Sequence, residues 1–157
     1  MKLHGILLSV AIAGALSTGA YAQTAKPTLD YSSAETIRET CVKWASDRDL
    51  KIAIAIKDVH GMLVTYAHMD GVKPVIGEVA QWKAMSSSKY GRSTESFATL
   101  NPPVNMPGIA TLRGGVPIYT KNGILLGGVG TSGASSEEDA ACGTAGVDAA
   151  GLTTAAP

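Results

Sequence analysis

After the first 22 residues, few side chains could do acid–base or metal chemistry. The histidines there are His60 and His68, and no pair of histidines or cysteines has the spacing of a structural zinc site. The sequence contains no P-loop and no G-x-S-x-G motif. Glu137 and Asp139 fall at the start of a predicted helix, where carboxylates favourably oppose the helix dipole. These residues by themselves indicate no catalytic site.

The first 22 residues have the pattern of a secretory signal peptide. Lys2 precedes an apolar segment, residues 6–16, and Ala20-Tyr21-Ala22 forms an A-x-A cleavage site. The apolar segment is shorter than the roughly 20 residues that a membrane-spanning helix needs. We therefore expect a mature chain that begins at Gln23 and is periplasmic or secreted.

The composition is that of one globular domain, predicted to occupy residues 23–157. The chain has 157 residues, of which 45% are hydrophobic, enough for an apolar core. It carries 13 basic and 13 acidic residues, so its charge gives no indication of nucleic acid or an anionic membrane as a partner.

Apolar periodicity predicts the element order α-β-β-α-α-β-β-α, with a final segment that is disordered. An additional short strand is predicted at 109–112. Hairpin connections predominate, so the sheet should be antiparallel and the fold class α+β. The predicted helices are 32–49, which starts with a Ser32-x-x-Glu35 capping box, 78–89, a short helix near 94–100, and 136–151. The predicted strands are 52–58, 62–69, 116–119 and 124–129.

The glycine-rich segment Gly114–Gly133 contains two signals. Asn122-Gly123 between two apolar runs predicts a β-hairpin with a type I′ turn. Gly128-Val-Gly130-Thr-Ser-Gly133 matches the G-x-G-x-x-G pattern of dinucleotide-binding proteins. That site also needs a later strand with an acidic residue about 20 positions on, and none is predicted. We therefore interpret these glycines as allowing close approach of another backbone.

Several segments together resemble the GlcG/HbpS family. They are Asp58-x-x-Gly61-x-Leu63-Val64, Met69-Asp70-Gly71, Lys83-Ala84, Gly114-Gly-Val-Pro-Ile118, and the segment 124–133 with the acidic, Ala/Gly-rich helix that follows it. The resemblance implies a single profilin-like sandwich in which the N- and C-terminal helices lie on one face of the sheet. It also implies oligomerisation and haem binding.

The same resemblance implies a pocket between the Met69–Gly71 loop, the helix of Lys83 and the Gly114-Gly115 turn. Lys83 would pair there with a carboxylate, such as a haem propionate. His68 stands where the family is expected to have arginine, and His68 and Met69 are candidate ligands of haem iron. The implied ligand-binding residues are His68, Met69, Asp70, Lys83, Gly114 and Gly115.

Cys41 and Cys142 fall on the first and last predicted helices. Two cysteines in an exported protein usually form a disulfide, and the alternative is two buried free thiols. The helix arrangement that the resemblance implies would bring the two positions together. We therefore expect a Cys41–Cys142 disulfide.

Three functions are compatible with the sequence. The first is an exported module that binds haem or a related anionic small molecule. The second is an enzyme that acts on a small organic acid, with Lys83 or His68 as its acid or base. The third is a structural oligomer without a ligand. The aromatic content of 5% is low for a cofactor pocket, which weakens the first.

Overall fold

The computed structural model describes residues 24–156, so the predicted signal peptide at 1–22 lies outside the described residues. Four helices and four strands follow the predicted order. They are α1 Tyr31–Ser46, β1 Ala53–Asp58, β2 Leu63–His68, α2 Pro74–Tyr90, α3 Thr94–Leu100, β3 Gly115–Tyr119, β4 Leu125–Ser132 and α4 Ser136–Ala149. No helix within residues 24–156 is long and apolar enough to cross a membrane.

The four strands form one antiparallel sheet in the order β2-β1-β4-β3. Alternate residues of β1 point to opposite faces of this sheet. Ile54 and Ile56, together with Ile52 just before the strand, face a large apolar core that includes residues of α1 and α4. Ala53 and Ala55 face α2. The predicted α+β sandwich is therefore confirmed, with the first and last helices on one face.

The predicted disulfide between Cys41 and Cys142 is present. Their Cα atoms are 4.9 Å apart, within the range that a disulfide requires. The two helices approach closely at Gly146, where a Cβ would lie 2.5 Å from the carbonyl oxygen of Ile37. The small residues of α4 therefore bring its backbone near enough to α1 for the bridge.

The glycine pattern of β4 has the structural role that we predicted. A Cβ at Gly130 would collide with Ala80 O and Ala84 N of α2, and one at Gly128 would lie 2.5 Å from Ser88 N. Only glycine lets the helix backbone lie this close to the strand. The G-x-G-x-x-G match thus reflects helix–sheet packing.

Two predicted starts of helices are wrong. The N-cap of α1 is Asp30, which accepts the N–H of Ser33, so Ser32 and Glu35 do not form the predicted capping box. Helix α2 begins at Pro74, one turn before the predicted start, because proline suits the first turn of a helix.

Three other local predictions are wrong as well. Residues 109–112 form no strand. The β3–β4 turn is not type I′, because only Gly123 has a positive φ there, and its N–H donates to the carbonyl of Thr120. The segment after α4 is ordered at Thr153, which exchanges backbone hydrogen bonds of 2.8 and 2.9 Å with Tyr119. This pairing covers part of an edge strand, which would otherwise have unpaired backbone groups.

Candidate functional site

Lys83 forms a buried ion pair that joins the two helical layers. Its Nζ donates to Asp139 Oδ2 at 2.9 Å and to the carbonyl oxygen of Thr131 at 2.8 Å. The two side chains are only 3% and 4% exposed. Lys83 lies on α2 and Asp139 on α4, so the pair connects opposite faces of the sheet around the end of β4.

The Asp139 carboxylate is held from both sides. Its Oδ1 accepts the N–H of Ala134 at 3.2 Å, while Oδ2 accepts from Lys83. Burial raises the pKa of Asp139 above its ordinary value, although the hydrogen bond from Lys83 opposes that shift. A carboxylate in this position stabilises the buried ammonium, and neither group faces solvent.

Gly114 makes room for this pair, and Gly115 makes room for the neighbouring backbone of α2. A Cβ at Gly114 would lie 2.7 Å from Lys83 Nζ and 2.8 Å from Asp139 Cβ, and the φ of Gly114 is +121°. A Cβ at Gly115 would lie 2.8 Å from Lys83 O and from Ser87 Oγ. Three of the predicted site residues, Lys83, Gly114 and Gly115, are thus brought together around Asp139.

The predicted ligands His68 and Met69 lie elsewhere, at the end of the other edge strand. Strands β2 and β3 are separated by three inter-strand spacings, or about 14 Å. His68 is exposed, and its ring centroid is 6.2 Å from that of Tyr66 on the α2 face. Met69 packs against the isoleucine core on the other face. His68 and Met69 therefore point in opposite directions, and Asp70 beside them is exposed.

Asp139 is the partner that sequence reasoning missed. Its place in the first turn of α4 was sufficiently explained by the helix dipole. The available signal was helical spacing, because Asp139, Cys142, Gly143 and Gly146 recur at intervals of three and four residues and are all buried. An acidic residue on that inward face requires a buried cation, and Lys83 supplies it.

His60, in the turn between β1 and β2, is held more firmly than its exposure suggests. Asp58 Oδ1 accepts the N–H of His60 at 2.9 Å and that of Met62 at 2.8 Å. The Lys57 Nζ of β1 donates to Gly61 O of the same turn at 3.2 Å. The turn therefore presents the His60 side chain from a fixed backbone.

Two cavities of about 440 Å³ each lie in the described part of the chain. The first lies between α3 and the loop that follows it, and no charged residue or histidine lines it. The second lies beside His60, at the end of the sheet opposite Lys83. Residues 24–156 contain no group of three or more His, Cys, Asp or Glu residues that could hold a metal ion.

Comparison with known proteins gives one family and several similar folds. The sequence model of the family described as haem degrading protein HbpS-like matches residues 29–148. The solved structure of HbpS is 25% identical, with a TM-score of 0.74, and the match covers 81% of this chain and 93% of that one. For a double mutant of HbpS from Streptomyces reticuli the identity is also 25%, the TM-score is 0.75, and the coverage is 88% and 97%.

A structure described as a PduOC:heme complex is 22% identical with a TM-score of 0.74, and the match covers 82% of this chain and 99% of that one. At this identity the likeness shows the fold alone. No curated protein matches the chain.

Proposed function

The chain belongs to the HbpS-like family of haem degrading proteins, and from this membership we propose that it binds haem or a related anionic small molecule. The observation that carries the proposal is the family match, which extends over residues 29–148 and thus from the segment before α1 nearly to the end of α4. The similar fold of a protein solved with haem is in keeping with it.

The side chains of the predicted site fit haem in part. The exposed imidazole of His68 is of the kind that ligates haem iron. Met69 points to the opposite face of the sheet, so only one of the two can serve a single iron in this arrangement. Bound haem would supply a redox-active iron, and the chain would supply the ligand and the surrounding walls.

Lys83 fits the role of a propionate partner less well. Its ammonium already has a carboxylate partner in Asp139, at 2.9 Å, and is almost fully buried. Pairing with a ligand would require the Lys83–Asp139 pair to open, and breaking a buried pair is strongly unfavourable. We therefore assign Lys83 to the stability of the fold.

The test of the proposed function is a titration of untagged protein with hemin, because the histidines of an affinity tag would bind iron themselves. We expect a saturable shift of the Soret band and a stoichiometry of one porphyrin per chain. Chain unfolded in urea is the control. A Soret band identical to that of hemin in buffer would refute haem binding.

We also propose that the protein is exported, to the periplasm or outside the cell. The signal-peptide pattern of residues 1–22 supports this, as does a disulfide, since disulfides persist mainly in oxidising compartments. Intact-mass measurement of exported protein should give an N-terminus at Gln23. Retention of residues 1–22 would contradict cleavage at this site.

We propose further that the protein is a homo-oligomer, as the family resemblance implies. In support, α2 exposes apolar side chains at helical spacing on its outer side, with Val75 54% and Trp82 39% exposed. Light scattering should give a mass of at least two chains. A monomer mass at high concentration would refute the assembly.

A further inference from the structure

We infer that the cleft beside His60, and not the His68 end of the sheet, is the porphyrin site of this chain. In this arrangement the His60 imidazole ligates the iron and the Lys26 ammonium pairs with a porphyrin carboxylate. The inference rests on the proposed function and gives it a location.

The cleft has the volume of a small-molecule site and a mostly apolar wall. It lies between the segment that precedes α1, the turn between β1 and β2, and the start of β4. Its volume of about 440 Å³ is within the range of small-molecule sites. The lining residues are Lys26, Pro27, Thr28, Val59, His60, Ile124 and Leu125. Apolar side chains thus form most of the wall, with one imidazole and one ammonium.

The His60 imidazole and the Lys26 ammonium distinguish the cleft from the cavity beside α3. The cavity beside α3 has the same volume but no histidine and no cation among its lining residues. Imidazole is a common axial ligand of haem iron, and a lysine ammonium pairs with carboxylates as a point charge. Neither of these two cavities includes His68, Met69 or Lys83.

The turn that carries His60 is fixed before any ligand arrives. The Asp58 carboxylate holds the two N–H groups that flank Gly61, and the Lys57 ammonium holds the Gly61 carbonyl. Gly61 has a φ of +82°, and a Cβ there would lie 2.8 Å from the sulfur of Met85. Because the backbone around His60 is already held in place, the His60 side chain loses little conformational freedom when it binds iron, which favours affinity.

The charges at the cleft suit an anion. Lys26 and His60 are the ionisable residues of its lining. The nearest carboxylate in sequence, that of Asp58, is hydrogen-bonded to backbone N–H groups within the turn. An apolar ligand that carries carboxylates would therefore meet the Lys26 ammonium in the wall of the cleft.

Two probes distinguish the iron ligand, His60, from the carboxylate partner, Lys26. They are hemin and protoporphyrin IX, which lacks iron. We expect His60→Ala to change the Soret band and to weaken hemin binding by about tenfold or more. Protoporphyrin IX affinity should stay within about twofold, because it has no iron to ligate. Lys26→Ala should weaken both probes by about two- to fivefold.

His68→Ala is the competing arm of the test, because it removes the alternative imidazole and should leave the hemin spectrum unchanged if His60 is the ligand. The exposed Lys73→Ala is the control for Lys26→Ala. All four residues are exposed, so each variant should keep the circular dichroism of the wild type. Loss of the hemin spectrum in His68→Ala, with His60→Ala unchanged, would overturn the inference and leave the proposed function standing. Wild-type protein that binds neither probe would overturn both.

Discussion

Replacing Lys83 by methionine should destabilise the protein severely. The substitution keeps the length and apolar stem of the side chain but leaves the Asp139 carboxylate, 4% exposed, without its cation. Removing one partner of a buried pair typically costs about 3–5 kcal/mol. Against a total stability of about 5–15 kcal/mol for a domain, that is a large fraction.

Urea unfolding, followed by tryptophan fluorescence, measures this cost. The exposed Lys89 on the same helix provides the control, and Lys89→Met should change the free energy of unfolding by less than about 0.5 kcal/mol. The double substitution Lys83→Met with Asp139→Leu should recover most of the loss, because an apolar pair needs no counter-charge. A cost below about 1 kcal/mol for Lys83→Met would refute the buried pair.

Three further predictions concern stability. Reducing the Cys41–Cys142 bond, which closes a separation of 101 residues, should lower the free energy of unfolding by at most about 4.7 kcal/mol, and urea midpoints with and without reductant that coincide would contradict this. Gly130→Ala should cost about 1–3 kcal/mol or more, because its Cβ meets the backbone of α2, and an unchanged melting temperature would count against that packing. Because the pKa of Asp139 is raised in the folded state, its protonation contributes to the free energy of unfolding. That contribution is fully present below the unfolded pKa of about 3.8 and is lost as pH rises through the folded pKa. Asp139→Asn should remove that dependence, and an unaltered stability–pH profile would argue against it.

Local patterns predict the order of the helices and strands, whereas the placement of the first and last helices on one face of the sheet was implied by the family resemblance. The continuous apolar run of β1 predicts a buried strand, Asn122-Gly123 between two apolar runs predicts a hairpin, and the structure contains both. The turn type at Asn122 was missed because Asn-Gly also suits a type I turn followed by glycine. The apolar spacing predicts a start of α2 at residue 78, but Pro74, which suits the first turn of a helix, begins it one turn earlier.

The candidate site was less accessible to sequence reasoning, since it depends on which elements meet. Helical spacing alone does not decide whether Trp82 or Lys83 faces inward, and the structure buries Lys83 and leaves Trp82 39% exposed. The partner of Lys83 is 56 residues away in sequence, on the other face of the sheet. The residues beside His60 likewise come from three separate segments. No local pattern encodes such juxtapositions.

Anomalous scattering at the iron edge, from crystals of untagged protein grown with hemin, tests haem binding and its location together. We expect one iron peak per chain, adjacent to the imidazole of His60. A peak beside His68 or Met69 would contradict the assigned site, and the absence of any iron peak at full hemin excess would contradict haem binding itself.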